Sequence, residues 1–172
     1  MRIAIIGSSG SGKSTLGRRM GEAIAAPVIE LRAINWEAGW VDLNTHQPEE
    51  FIRRVSEAVS AERWVTAGNY GRVLPLILAR ATDVVWLDFG LWLVMSRVVR
   101  RSVARVWSGR ELWPGSGNRE NWRHWLGKEH PIRWTCDTFA SRRARYEALF
   151  SDSALTGVSC TACVVRVKRM CW

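Results

Sequence analysis

Residues that bind metals or form disulfides are scarce in this chain. It has four cysteines in 172 residues: Cys136, Cys160, Cys163 and Cys171. Cys160 and Cys163 form a C-x-x-C, but no second pair stands at zinc-finger spacing and no ligand-spaced histidine follows, which argues against a structural zinc site. Four thiols of this kind fit an intracellular chain with free cysteines. The three histidines, His46, His124 and His130, show neither metal spacing nor a neighbouring nucleophile pattern, and read as surface or packing residues. Long apolar runs are missing too: 87–95 is interrupted by Asp88 and Gly90, well short of the ~20 residues a membrane helix needs. Met1 and Arg2 lead through four apolar residues straight into glycines, which is no secretory signal, so the expected location is cytoplasmic. Internal repeats and low-complexity segments are absent. A chain that is 47% apolar and 24% charged has the composition of a globular protein, and its length suits one domain over 1–172.

Carboxylates are in short supply. There are 16 Asp and Glu against 25 Lys and Arg, a net charge of +9. Between Arg97 and Arg145 stand eleven arginines and one lysine against four carboxylates, so nearly all the excess falls in one third of the chain. The partner of that region should be anionic: a nucleotide, a nucleic acid or an acidic membrane surface. The chain also carries 11 tryptophans, and Trp107, Trp113, Trp122, Trp125 and Trp134 lie among these arginines. Such interleaving fits stacking on single-stranded nucleic acid, or rings that pack a lid against itself and the body.

Short apolar runs alternate with helical patterns, the signature of a parallel sheet covered by helices. The runs predict strands over 2–6, 28–31, 64–66, 83–87 and 163–167. Helices are predicted over 13–25, 48–60, 73–79, 91–106 and 132–150, with Pro48, Glu49 and Glu50 suiting the start of the second. A polar loop is expected over 32–47 and another over 151–159. Glycines and prolines crowd 107–131, which reads as an Arg- and Trp-rich lid inserted into the domain.

Gly7-Ser8-Ser9-Gly10-Ser11-Gly12-Lys13-Ser14 matches G-x-x-x-x-G-K-[ST] in full, directly after one predicted strand and before a helix. This is a phosphate-binding loop: backbone N–H groups curl toward one point and the helix N-terminus adds partial positive charge. Gly7, Ser8, Gly10, Ser11, Gly12, Lys13, Ser14 and Thr15 are the expected ATP-binding residues, with Lys13 on the β- and γ-phosphates and the Ser14 hydroxyl on Mg²⁺. Arg97 and Arg101 stand four apart on one helix, hence on one face. With Lys13 they are the expected catalytic cations, neutralising charge that spreads over a transferred phosphoryl group.

Several segments together resemble a known group. They are Arg2 to Gly7 with its loop, Glu30-Leu31-Arg32-Ala33-Ile34 followed by Gly39-Trp40, Arg63-Trp64-Val65, Gly68-Asn69-Tyr70, Trp86-Leu87-Asp88, Arg110-Glu111-Leu112-Trp113 and Gly117-Asn118-Arg119-Glu120. Over about residues 1–150 the chain is similar to the bacterial adenylate-kinase-like P-loop proteins of the topology modulation (FlaR-like) group. The resemblance implies a three-layer, nucleoside-monophosphate-kinase-like P-loop fold with a five-stranded parallel sheet. It implies transfer of the ATP γ-phosphate to a small acceptor such as a nucleoside monophosphate. It also implies that Gly68, Asn69 and Tyr70 face the acceptor and that Arg110 and Arg119 are nucleotide-binding lid arginines. The alternative is a non-catalytic nucleotide-binding module whose basic lid touches nucleic acid. Members usually carry Asp where this chain has Arg32 and Ala67. That substitution leaves the metal to Ser14, phosphates, water and Asp88, makes Glu37 and Asp42 the nearby stand-ins, and predicts impaired transfer.

Overall fold

The computed structural model describes residues 1–151 apart from Pro114, Leu126, Lys128 and Glu129. Strand β1 (Arg2–Gly7) runs through the phosphate loop into helix α1 (Lys13–Ile24), and β2 (Val28–Glu30) leads into α2 (Leu31–Asn35). A small hairpin, β3 (Trp36–Glu37) and β4 (Val41–Asp42), precedes α3 (Leu43–His46) and α4 (Pro48–Ala58). Then come β5 (Trp64–Ala67), α5 (Leu74–Arg80), β6 (Asp83–Leu87), α6 (Leu91–Ser108) and α7 (Pro131–Ser151).

The main sheet is parallel, in the order β2-β5-β1-β6. It has four strands among the described residues rather than five. The fifth, expected over 163–167, and the loop over 151–159 fall essentially outside them, although Ser151 itself still belongs to α7. Ile3, Ala4, Ile5 and Ile6 are all at most 2% exposed, as a central strand covered on both faces requires. Alternation along the strands divides the core. Ala4, Ile6, Ile29, Trp64, Val84 and Trp86 pack with Phe51 and Val55 of α4, Leu74 and Ile77 of α5 and Tyr146 of α7. Ile3, Ile5, Val65, Val85 and Leu87 pack against Leu16, Met20 and Ile24 of α1. The result is a three-layer α/β/α sandwich.

The expected loop over 32–47 is instead built from α2, the hairpin and α3. Elements of two to five residues are too short to show a hydrophobic period, and they are held by side chains. Asp42 caps α3 by accepting from the Thr45 backbone N at 3.2 Å, and Asn35 Oδ1 accepts from Asn44 N at 2.9 Å. Leu31, expected to end a strand, starts α2. The lid begins where α6 stops at Gly109 in left-handed conformation (φ 56°). Its two arms meet in a bridge between Glu111 and Arg119. Among the described residues no helix is long and apolar enough to cross a membrane.

Candidate active site

A cleft of about 1090 Å³ opens beyond the carboxyl ends of the strands, with Ala67 and Leu87 in its floor. This is where open α/β sheets bind ligands. Gly10, Ser11, Gly12, Lys13, Ser14 and Thr15 line one end, whereas Gly7 and Ser8 are not among the lining residues. Gly12 caps α1 with φ 97° and no side-chain cap bond, which leaves the first-turn N–H groups of α1 for a ligand. Gly10 has φ 83°, and a Cβ there would stand 2.6 Å from Val98 Cγ2 and 2.7 Å from the Val94 carbonyl oxygen. Only glycine lets α6 lie this close to the loop. Lys13 Nζ donates to the carbonyls of Gly7 and Ser8, each at 2.7 Å.

The wall facing the loop is cationic. Arg32, Arg97, Arg100, Arg101, Arg105 and Arg142 line it, brought together from α2, α6 and α7. Burial, then the charges of Arg32, Arg142 and Arg101, pull the Lys13 pKa well below its ordinary value. Burial, then Arg32 and Arg105, likewise lower Arg101 to about 10 against the attraction of Glu120. Arg101 Nε and Nη2 are buried with no hydrogen-bond partner among the described residues. Arg97 lies over the Phe89 ring at 4.9 Å, and Arg142 over the Trp134 ring at 5.2 Å. Buried cations without partners cost stability, so the arrangement is built for an anion.

Gly68, Asn69 and Tyr70 follow β5 and line the opposite end. Asn69 Nδ2 donates to the Tyr146 hydroxyl, which ties the stretch to α7. Tyr70 meets Phe51 edge-on at 5.0 Å. Burial, helped by Asp42 and opposed by Arg32 and Arg142, pushes the Tyr70 phenol up to about 12. The lid reaches this end through Asn118, which is 2% exposed. Its Nδ2 donates to the Glu37 carbonyl at 2.8 Å, and its Oδ1 accepts from Trp40 N at 3.0 Å. Trp113 of the lid meets Trp40 edge-on at 6.2 Å.

Lys13, Arg97 and Arg101 thus share one cleft with the loop and with 68–70. The lid arginines do not: Arg110 and Arg119 are exposed and line no part of it. Asp88 is also displaced from its expected place, because it pairs with Arg143 at 3.0 Å outside the cleft. Glu37 pairs with Arg54 at 2.8 Å. Two carboxylates do line the cleft, Glu30 and Asp42. Sequence reasoning missed Glu30, Arg100, Arg105 and Arg142 as cleft residues. For Arg142 the available signal was its i,i+4 spacing to Tyr146 on one helix face.

Mg-ATP fits these residues. The first turn of α1 has no side-chain cap, Ser14 and Thr15 line the cleft, and Arg101 brings in a buried guanidinium whose Nε and Nη2 lack a hydrogen-bond partner among the described residues. Glu30 sits opposite Ala67 in the β2–β5 register, so the two share a sheet face. A Cβ on Gly17 of α1 would lie 3.5 Å from both Ala67 Cβ and Val28 Cγ1, which makes that face the α1 side. A carboxylate thus stands beside Ala67 on the neighbouring strand.

No protein-family model matches the chain. Over 100 residues it is 32% identical to a shikimate kinase of Symbiobacterium thermophilum, a match that spans 51% of this chain and 58% of that enzyme. Over 151 residues it is 27% identical to a shikimate kinase of Corynebacterium efficiens, covering 81% of this chain and 85% of that one. Among solved structures, the shikimate kinase of Bacteroides thetaiotaomicron aligns with TM-score 0.55 at 17% identity, over 86% of this chain and 82% of its own. A shikimate kinase of Acinetobacter baumannii, solved with shikimate, aligns with TM-score 0.54 at 20% identity, over 86% and 78%. The likeness is thus to shikimate kinases and not specifically to the topology modulation group. The chain has the α/β fold of the P-loop kinases.

Proposed function

We propose that the chain is a kinase that transfers the γ-phosphate of Mg-ATP to a small acceptor, of which a nucleoside monophosphate is the expected example. The observation that carries this reading is convergence. The phosphate loop, a cationic wall and the 68–70 stretch line a single cleft. Sequence similarity to a shikimate kinase over 81% of the chain supports it. The segments quoted from the sequence further support placing it with the adenylate-kinase-like topology modulation proteins.

Phosphoryl transfer asks the protein mainly for positioning and charge neutralisation. Lys13 would hold the β- and γ-phosphates, and Arg97 and Arg101 would approach the transferred group from α6. Ser14 would hold Mg²⁺, with Glu30 ordering its water shell in place of the missing strand-end acid. Bound Mg²⁺ would supply further neutralisation of the phosphate oxygens. The docked lid, through Asn118, would keep water from the γ-phosphate. Three of the five lid tryptophans pack: Trp113 rests on Trp40, Trp134 carries Arg142, and Trp125 lies 6.3 Å from His130, whereas Trp107 and Trp122 are exposed. The similarity to small-molecule kinases favours this reading over the nucleic-acid alternative.

The test is ADP formation from Mg-ATP against a panel of small acceptors. Acceptor-dependent ADP release that disappears in Lys13→Ala is the expected result. ADP release that no acceptor stimulates, or that survives Lys13→Ala, would overturn the reading.

A further inference from the structure

We propose that the outward face of α6 is a dimer interface, on which a second copy of this chain packs antiparallel about a two-fold axis between residues 99 and 100. This surface is separate from the cleft and does not depend on the kinase reading.

Helix α6 buries Val94, Val98 and Ser102 against the body. Trp92, Ser96, Val99, Val103 and Trp107 recur at intervals of three and four and so share one face. That face is turned to solvent: Trp92 is 86% exposed, Trp107 90%, Val99 39% and Val103 44%, and Ser96 is exposed as well. The two indoles present about 400 Å². Leu93, at 42% exposure, and the two valines raise the stripe to roughly 500 Å². An apolar patch of about 300–600 Å² is the largest a typical monomer carries, and it is often functional. Two copies sharing the stripe remove about 1,000 Å² from water, the least that a specific interface needs.

Charge selects the occupant. All four arginines of α6 (Arg97, Arg100, Arg101 and Arg105) line the cleft, and the helix has no Asp or Glu. Nine residues of α6 are exposed, and Arg100 is the one charged residue among them. On a chain of net charge +9, a face this poor in charge offers little to an acidic membrane or a nucleic acid, both of which are held through arranged cations. It has instead the composition of an interface core, depleted in charge and rich in tryptophan.

The spacing of the stripe is its own complement. Reversed about a point between residues 99 and 100, it falls on itself: position 92 exchanges with 107, and 96 with 103. An antiparallel pair thus sets Trp92 against the partner's Trp107 at each end, and Ser96 against the partner's Val103 on either side of the axis. Helices approach to about 8–10 Å where small side chains meet. Serine and valine supply these at the centre, and the indoles span the gap that opens toward the ends as the axes cross. The contact is isologous, so two copies close it. Each copy keeps its cleft, because the cleft arginines and the stripe lie on different sides of α6.

Analytical sedimentation of the full chain over a range of concentrations, with cysteine cross-linking mapped by peptide mass, tests this. The expected result is a reversible dimer with Kd on the order of 10 µM, weakened at least ~30-fold in Trp92→Ala and in Trp107→Ala because each substitution acts twice in a symmetric pair. Both variants should melt with wild type in dilute solution, since the residues changed are exposed. The Val99→Cys variant should link to itself, and the Ser96→Cys variant to the Val103→Cys variant when the two are mixed. The Ser96→Cys variant should not link to itself, because about 10 Å of helix separates the two positions across the axis. A chain that stays monomeric would overturn the proposal, as would a dimer indifferent to both tryptophan substitutions or self-linking of Ser96→Cys, the mark of a parallel pair. A monomer that sediments with vesicles of acidic phospholipid, and loses them in Trp92→Ala, would give the face to a membrane instead. A monomer whose Trp92 and Trp107 resist hydroxyl-radical oxidation would give it to residues 152–172 of the same chain.

Discussion

Truncating Asn118 to alanine should release the lid from the acceptor side without unfolding the domain. The side chain is 2% exposed and makes two bonds across to the hairpin, at 2.8 Å to the Glu37 carbonyl and 3.0 Å from Trp40 N. Each such bond contributes about 1 kcal/mol net, so their loss weakens docking by about 2 kcal/mol, or roughly 30-fold in the docking equilibrium. The effect should stay local, because the hairpin and lid belong to the least buried part of the molecule. Hydrogen exchange read on the Trp40 amide should quicken by about that factor, while amides of β1 exchange as before. Acceptor-independent ATP hydrolysis should rise relative to transfer, since an undocked lid admits water. Unchanged exchange at Trp40 together with an unchanged ratio of hydrolysis to transfer would refute the assignment of Asn118 as the lid latch.

Other perturbations probe the loop, the cationic wall and the lid base. Gly10→Ala should abolish ATP binding and lower the melting temperature, because its Cβ would meet the Val94 carbonyl at 2.7 Å; binding retained in calorimetry would contradict the close approach. Arg101→Met should stabilise the ligand-free protein by roughly 1 kcal/mol, about 2–4 °C in Tm, by removing a buried unpaired cation, while lowering kcat; a lower Tm would show that the guanidinium is satisfied. His130 makes the lid base acid-sensitive. Its Nε2 faces Glu120 Oε1 at 3.1 Å and its Nδ1 accepts from Ile132 N at 3.3 Å, an arrangement for the neutral ring. Burial, only partly opposed by Glu120, holds its pKa below 6.5. A pKa depressed on folding means that the unfolded chain takes up the proton first, so stability is complete above pH ~6.5 and falls below it. Thermal melts of wild type should drop in this window more steeply than those of His130→Gln; parallel profiles would remove His130 as the cause.

Much of the scaffold was legible in the sequence, for identifiable reasons. The strand β6 is found at its predicted bounds because 83–87 is a buried apolar run with a charged start. The phosphate loop announces itself through glycines whose backbone angles few other residues adopt. The hairpin between β3 and β4 was hidden, since two-residue strands carry no period and are held by long-range side-chain bonds. Arg32 was visible only as a departure from a pattern. Its partnership with Arg142 depends on the fold that brings α2 and α7 to one cleft, and the match of Glu30 to Ala67 depends on parallel register. Arg110 and Arg119 were expected from the family resemblance, and motif matching says nothing about the direction in which exposed lid side chains point. With Asn118 fastening the lid to the hairpin, the residues on either side of it turn outward.

The most direct measurement of the central claim is phosphorus NMR of Mg-ATP incubated with the protein and a nucleoside monophosphate. The account predicts that the γ-phosphorus signal of ATP is replaced by ADP and the paired resonances of a new diphosphate, at a rate abolished by Lys13→Ala. Conversion of ATP to ADP and free phosphate only, at the same rate with and without acceptor, would contradict it.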